Sequence, residues 1–221
     1  MWFLIIIVGF LLYVVIQLPF QMGFFGGFQG INLTIIGLLL AIFVIPLVYL
    51  GLKYLKLDFL KIGFTSNELR QDALLGSAFA IFFTLVQFLW LIPNTGGADR
   101  ADISDVLIML EYEWTNTFWY IPLGVIGGAL TEEILYRGFF IGGLASIFKG
   151  SKISIYIASL LSILFFAAAH LPQDLVQWID ILVPTTAYTI LYLYTNRLTA
   201  SIVAHGLWNI LAVILIISIY S

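Results

Sequence analysis

Cysteine is absent from this chain, and charged side chains are scarce. The lack of cysteine excludes disulfides, thiolate catalysis and cysteine metal sites. Asp, Glu, Lys and Arg make up 10% of the 221 residues, while 62% of the residues are hydrophobic. A soluble globular domain is roughly 25% charged and about half apolar, so the mean hydropathy of +1.09 indicates a polytopic membrane protein. The sequence also lacks a basic stripe, a P-loop and a dinucleotide fingerprint, and we expect no nucleic-acid partner.

The hydrophobic runs predict an all-α, polytopic transmembrane helix bundle. About 20 apolar residues are needed to cross the hydrocarbon core of a bilayer. On this basis the chain contains about seven spans, within a range of six to eight: 1–18, 31–52, 73–92, 118–148, 153–171, 179–195 and 199–219. The run 118–148 is too long for a simple crossing, which indicates a tilt, a kink near Pro122 or its glycines, or a part outside the bilayer.

We expect the whole chain, 1–221, to form a single integral membrane domain. Its first run lacks the basic start and the cleavage site of a signal peptide, which favours a retained span over a processed signal. The first 115 residues contain generic spans, with a linker near 56–72 that mixes charged and apolar residues and is typical of an interfacial amphipathic segment. The polar motifs lie in the second part, 118–219.

The distribution of charge predicts an orientation in the cell membrane. Positively charged residues concentrate in alternate connections, namely Lys53, Lys56, Lys61, Arg70, Lys149, Lys152 and Arg197. Connections of this kind face the cytoplasm, so we expect a multi-pass protein with a cytoplasmic N-terminus. The opposite connections are acidic, with Arg100 as their one cation. We expect the acidic segment 99–113 to be a solvated surface.

Three charged residues interrupt the apolar run near the middle of the chain. Each charge at the centre of a span costs roughly 2.5–3.5 kcal/mol, so a cluster there needs partners. Glu133 and Arg137 are four residues apart with the acid first, the favourable order for an ion pair on one helix face. Glu132 is turned about 100° away and is left without a cation, which suits a general base. A structural polar cluster that joins helices is the alternative.

Histidine is the second scarce residue type that draws attention. The chain has two, His170 and His205, each in or at the end of an apolar span. Phe166 precedes His170 by four residues, and His205 precedes Asn209 by four, so each pair lies on one helix face. A lone histidine in a membrane helix is often only an interhelical hydrogen-bonding group. Together with Glu132, however, these residues form a set drawn from three predicted helices.

This set of side chains supports the hydrolysis of an amide or ester bond without a serine or cysteine nucleophile. A carboxylate can take a proton from water while an imidazole orients that water. A histidine N–H and an asparagine amide can donate to the oxygen that develops negative charge. The depths of the residues conflict with a shared site, because His170 falls at the very end of its span. We therefore expect one span boundary to be wrong or one helix to be tilted.

The ordered motifs Glu-Glu-x-x-x-Arg, Phe-x-x-x-His and His-x-x-x-Asn resemble those of the CAAX protease and bacteriocin-processing family, also called Abi. The resemblance covers about 120–219 and implies an intramembrane glutamate-dependent endopeptidase that acts on a membrane-anchored or lipidated peptide. In this sequence it implies that Glu132 activates water with His170, that His205 and Asn209 form the oxyanion site, and that Glu133 and Arg137 support the first motif.

Other functions remain open at this point. Two histidines and a glutamate are a possible zinc ligand set, although the sequence lacks His-Glu-x-x-His and the resemblance favours a mechanism without metal, so we expect no cofactor. Family members include bacterial proteins linked to bacteriocin maturation or self-immunity, so a non-enzymatic immunity or scaffold protein is one alternative. A small proton-coupled transporter is another. The motifs specify neither the substrate nor an oligomeric state.

Overall fold

The computed structural model describes residues 1–221 and contains eight helices and no strand. We number them α1 (Trp2–Gln21), α2 (Ile31–Tyr54), α3 (Leu69–Asn94), α4 (Ala101–Met109), α5 (117–147), α6 (Lys152–Ala169), α7 (Leu175–Thr195) and α8 (Thr199–Tyr220). Short helical turns and bends connect them. The prediction of an all-α helix bundle is confirmed.

Five helices are long and apolar enough to cross a membrane, namely α1, α2, α3, α6 and α8. They coincide with five of the predicted spans, and the remaining two predicted spans, 118–148 and 179–195, correspond to α5 and α7. Large apolar side chains such as Phe82, Leu89 and Ile153 are exposed on the outside of the bundle, as expected of a surface that lipid covers. The chain is an integral membrane protein.

Helix α5 lies at the centre of the bundle, where its side chains form the largest part of the core. Leu135 and Phe139 on α5 are fully buried among residues of α1, α2 and α6. Glycines permit the closest approach, because a Cβ added to Gly127 of α5 would lie 2.6 Å from the Cα of Gly37 on α2. Small residues at such crossings let two backbones pack directly in a membrane protein.

The hydrogen bonding of α5 is irregular on both sides of Glu132. The stretches Leu123–Leu130 and Glu133–Gly142 are π-helical, and Thr131 and Glu132 lie between them. Short π-helical stretches occur frequently at functional sites. The Thr131 hydroxyl donates to the carbonyl oxygen of Gly127, four residues earlier. The long run predicted over 118–148 is thus one helix with altered internal geometry.

The linker predicted over 56–72 forms turns as far as Glu68, and α3 begins at Leu69. Its middle is packed into the end of the bundle that carries Lys53, Lys149 and Arg197, which we call the basic end. Ile62 is 1% exposed, and a Cβ added to Gly138 of α5 would lie 2.7 Å from its Cδ1 atom. This segment therefore contributes to the core.

The opposite, acidic end of the bundle differs from the sequence expectation. The segment 99–113 is not simply a solvated surface, because it contains α4, whose residues Ile103 and Leu107 are buried against α3 and α8. Arg100 is also buried and pairs with Asp102 and with Asp180 of α7. Burial lowers the pKa of Arg100, but the hydrogen bonds that Arg100 donates to these two carboxylates raise it by more. The pKa of Arg100 therefore lies above its ordinary value. The acidic residues between the apolar positions concealed this amphipathic pattern.

Candidate active site

The ion pair indicated by the spacing of Glu133 and Arg137 is present inside the bundle. Arg137 Nη1 donates to Glu133 Oε1 at 2.9 Å, and both side chains are almost fully buried. Arg137 Nη2 donates to the carbonyl oxygen of Thr185 on α7 at 3.0 Å and also to the Thr185 hydroxyl. A buried pair of charges is tolerated when further hydrogen bonds satisfy it, so this pair joins α5 to α7.

His205 of α8 binds the same carboxylate. Its Nδ1 lies 3.0 Å from Glu133 Oε1, while its Nε2 lies 3.8 Å from Glu132 Oε2. A carboxylate only accepts hydrogen bonds, so Nδ1 carries a proton and Nε2 is directed towards Glu132. The contact between Glu133 and a histidine was not expected from the sequence, where Glu132 is the acid grouped with the histidines. That contact depends on how α8 packs against α5.

Glu132 is in a different situation from its neighbour. Its side chain is 15% exposed, and no group of the protein donates a hydrogen bond to its carboxylate; the contact with His205 at 3.8 Å is too long for one. The carboxylate instead lines two cavities, so it is accessible to water and to small groups that enter them. Glu132 is thus the unpaired carboxylate of the cluster.

The end of α6 places the second imidazole, that of His170, in the walls of the two cavities that Glu132 lines. His170 Nδ1 donates to the carbonyl oxygen of Phe166 at 2.8 Å, which leaves Nε2 of the neutral ring as an acceptor. The Phe166 ring contacts both imidazoles, with ring centroids 4.5 Å from His170 and 6.1 Å from His205. Helix α6 ends at Ala169, beside the cavities that Glu132 lines, so His170 reaches the site despite its terminal position.

Asn209 completes the group of predicted residues. Its Nδ2 donates to the carbonyl oxygen of Gly124 at 2.8 Å. An amide nitrogen has two hydrogens, so one N–H remains for another acceptor. A Cβ added to Gly128 would lie 3.3 Å from this nitrogen. The glycine at this position therefore keeps open the space next to the Asn209 amide. Glu132, His170, His205 and Asn209 all line the same cavity of about 350 Å³.

A second cavity of about 450 Å³ lies between α1 and the end of α6, with exposed apolar residues such as Leu18 and Leu171 among its walls. The two cavities share four lining residues, which are Tyr13, Gln17, Glu132 and His170. Sequence reasoning missed Tyr13 and Gln17, because a single polar residue in an apolar first span has no motif around it. It also missed Tyr188, whose ring stacks on His205 at 4.8 Å.

No group of three His, Cys, Asp or Glu side chains in the chain is arranged so that it could hold a metal ion. The Nδ1 atoms of both histidines are engaged by Phe166 and Glu133, and their Nε2 atoms remain free.

These features define a class of protein, a helical membrane protein with a cavity inside its bundle that is lined by a carboxylate, two imidazoles and a carboxamide. Residues 114–211 match the family model described as type II CAAX prenyl endopeptidase Rce1-like. The match covers less than half of the chain, and the three motifs that resemble the CAAX protease family all lie within it. The match includes Glu132, His170, His205 and Asn209 and leaves out α1 to α4.

Two curated proteins are similar to part of the chain. The chain is 29% identical over 139 residues to the membrane-embedded CAAX protease MroQ of Staphylococcus aureus, an overlap of 62% of this chain and 54% of the relative. It is also 29% identical over 123 residues to the UPF0177 protein YvdC of Lactococcus lactis subsp. lactis, covering 56% of this chain and 42% of that protein. The chain thus spans about half the length of these curated relatives. No solved structure gives a significant match.

Proposed function

We propose that this protein is an intramembrane endopeptidase in which Glu132 is the general base. The observation that carries the proposal is the unpaired Glu132 carboxylate, which lines both cavities together with His170. A general base must be free to accept a proton and must lie within reach of water. Glu133, by contrast, is fully buried and occupied by Arg137 and His205, so it is unsuited to that role.

In the proposed reaction a water molecule binds between Glu132 and His170. His170 Nε2 accepts one hydrogen bond from this water, and Glu132 takes the other proton as the oxygen attacks the peptide carbonyl. The proton held by Glu132 then passes to the leaving nitrogen when the carbon–nitrogen bond breaks. The products are a carboxylic acid and an amine, so one water is consumed for each bond that is cleaved.

Asn209 and His205 stabilise the oxyanion in this proposal. The second N–H of the Asn209 amide is not used by Gly124, and Asn209 lines the cavity. His205 donates through Nε2 when both of its ring nitrogens carry protons, a state in which Glu133 accepts the bond from Nδ1. Donors fixed in a site from which water is excluded are more effective than the same donors in water.

The proposed substrate is a membrane-anchored or lipidated peptide. The site lies within the helix bundle, and the cavity between α1 and α6 has lipid-facing apolar residues in its walls. The relative MroQ is named as a membrane-embedded CAAX protease, which agrees with such a substrate. We further propose that the reaction needs no metal ion; loss of turnover on chelation and its return with zinc would contradict this.

We also propose that the basic end of the bundle faces the cytoplasm in the cell membrane, because Lys and Arg concentrate on the cytoplasmic side of such proteins. The lack of cysteine makes a direct measurement possible. Single cysteines introduced at Lys53 and at Glu113 should react with an impermeant thiol reagent from opposite sides. Reaction of the Lys53 position from outside intact cells would reverse the orientation.

The test of the proposed function uses the purified full chain in detergent with peptides that carry an apolar anchor. We expect Glu132→Ala and His170→Ala to abolish cleavage, while Glu113→Gln, a change at an exposed acid of the acidic end, retains it. Full turnover in both site variants would exclude the glutamate mechanism. A non-enzymatic immunity or scaffold protein would keep its biological activity in Glu132→Gln, and a transporter would show Glu132-dependent proton flux in proteoliposomes.

A further inference from the structure

Helix α1 contributes to the site although it lies outside the matched residues 114–211. Tyr13 and Gln17 of α1 line both cavities, at the place where Glu132 and His170 also line both. The Tyr13 hydroxyl lies 2.5 Å from the Thr131 hydroxyl, and Thr131 immediately precedes Glu132. A residue of the first helix is therefore in direct contact with the segment that carries the proposed base.

The direction of this hydrogen bond follows from the other partner of Thr131. The Thr131 hydroxyl donates its single proton to the carbonyl oxygen of Gly127. It must therefore accept the bond from Tyr13, whose O–H is the donor. The result is a chain of two hydrogen bonds that runs from α1 through Thr131 to the backbone of α5.

This chain of hydrogen bonds acts at an irregular part of α5. Thr131 is fully buried and lies between the two π-helical stretches. The Glu132 carboxylate has no hydrogen bond of its own, so the backbone that carries it determines where it lies. Tyr13 is the side chain from another helix that is bonded to that backbone segment, through Thr131.

We propose that Tyr13 is a positioning residue for Glu132. This inference rests on the proposed function, since it assigns Tyr13 to the same site. The Tyr13–Thr131 hydrogen bond holds the Thr131–Glu132 segment so that the carboxylate stays at the junction of the two cavities, beside His170. Substrate contacts elsewhere in the cavities do not depend on this bond, so its loss should lower kcat rather than raise KM.

The experiment compares Tyr13→Phe, Thr131→Val and the double variant of the full chain. One net hydrogen bond contributes roughly 0.5–1.5 kcal/mol, so we expect each single variant to lower kcat by roughly 3- to 10-fold, with an unchanged KM. Because both changes remove the same bond, the double variant should be no slower than the slower single variant. Thr131→Ser, which keeps the hydroxyl, should restore the rate.

A matched control is available on the same helix. Trp2 Nε1 donates to the carbonyl oxygen of Phe139 at 3.2 Å, so Trp2 also ties α1 to α5, but at the basic end. Trp2→Phe removes a bond between the same two helices whose acceptor, Phe139, lies about two helical turns after Glu132. We expect this change to leave kcat unchanged. An equal loss of kcat in Trp2→Phe and Tyr13→Phe would show general tethering of α1 and overturn the inference.

A second measurement does not depend on peptide cleavage. An apolar carbodiimide modifies carboxylates inside a membrane protein, and mass spectrometry of peptides reports its rate at Glu132. We expect Tyr13→Phe to change that rate and Trp2→Phe to leave it unchanged. Thr131→Val should change it at least as much as Tyr13→Phe, because it also removes the bond to Gly127. An unchanged rate in Tyr13→Phe would overturn the positioning role even if Glu132 proved essential. A changed rate in a protein that cleaves no peptide would support positioning while contradicting the proposed function.

Discussion

Glu132 and Glu133 are adjacent residues of one type, and their surroundings have little in common. Glu133 is fully buried between Arg137 on its own helix and His205 on α8. Glu132 points into two cavities and receives no hydrogen bond from the protein. Successive residues of a helix are rotated by about 100°, so one step along α5 separates a packed interface from an open chamber.

The comparison shows that one helix can carry a paired, buried carboxylate next to an unpaired one that lines a cavity. An ion inside a low-dielectric region is costly unless it is paired and hydrogen-bonded. Glu133 meets that requirement through its Oε1 atom, which accepts from Arg137 and His205, while its Oε2 atom has no partner. Glu132 does not, and it is the group that remains available to a reactant. The two sides of α5 should therefore respond differently to the same substitution.

The largest expected effect is on turnover and arises on the Glu132 side. Glu132→Gln keeps the shape of the side chain and removes the base, so we expect cleavage to fall by roughly 10²- to 10⁴-fold with little change in Tm. Turnover of an anchored peptide and thermal unfolding in detergent, measured on one preparation, check both parts. If Glu132→Gln lowered the Tm as much as a Glu133 variant does, Glu132 would also be a residue that stabilises the fold, and the proposed difference between the two glutamates would be wrong.

The same substitution one residue later should act on the fold. Glu133→Gln leaves Arg137 without its carboxylate inside the bundle, and breaking a buried pair costs about 3–5 kcal/mol. We expect a large decrease in Tm and in the yield of folded protein, measured by thermal unfolding and size-exclusion chromatography. Normal stability together with lost cleavage would instead place Glu133 in the reaction.

A smaller effect on turnover is expected at Asn209. Asn209→Ala removes the N–H that we propose as an oxyanion donor, and loss of one such donor costs about 10²- to 10³-fold in kcat. KM should stay close to that of the unmodified protein, because the bond strengthens as the reaction proceeds. Since the same change frees the Gly124 carbonyl, Tm must be measured in parallel. An effect confined to KM would argue against an oxyanion role.

The smallest expected effect concerns the attachment of Arg137 to α7. Thr185→Val preserves the side-chain shape and removes one hydrogen bond to a charged donor, worth about 1.5–3 kcal/mol. We expect a moderate decrease in Tm and near-normal kcat. Thr189→Val is the matched control, because the Thr189 hydroxyl bonds to a carbonyl of its own helix. Equal Tm values for the two variants would show that the contact between α5 and α7 contributes little.

The sequence predicts the parts of this molecule that depend on local pattern. Apolar runs of sufficient length locate the helices, and the spacing of Glu133 and Arg137 indicates an ion pair because both residues lie on one helix. The contact of His205 with Glu133 could not be predicted, since it depends on the rotation of α8 against α5. The same is true of Tyr13, whose partner Thr131 is far away in the chain.

Helix α4 was missed for a different reason. Its acidic residues lie among buried apolar ones, and an average over the segment 99–113 looks like a solvated surface. Ile103 and Leu107 are four residues apart, so they lie on one face of the helix and pack into the core, while the charged residue between them does not. The ion pair of Arg100 with Asp180 then ties this end of the bundle to α7.

The π-helical stretch Leu123–Leu130 also determines which residue of α5 faces the cavities. An i→i+5 hydrogen bond accommodates one more residue in a turn than the α-helical i→i+4 bond does. If this stretch had α-helical bonds and the same sequence, the residues after it would be rotated by about 100°. Glu132 would then occupy the angular position that Glu133 holds now, and Thr131 would take the position of Glu132. The phase of one helical turn, set upstream of both acids, thus keeps a carboxylate at the cavities.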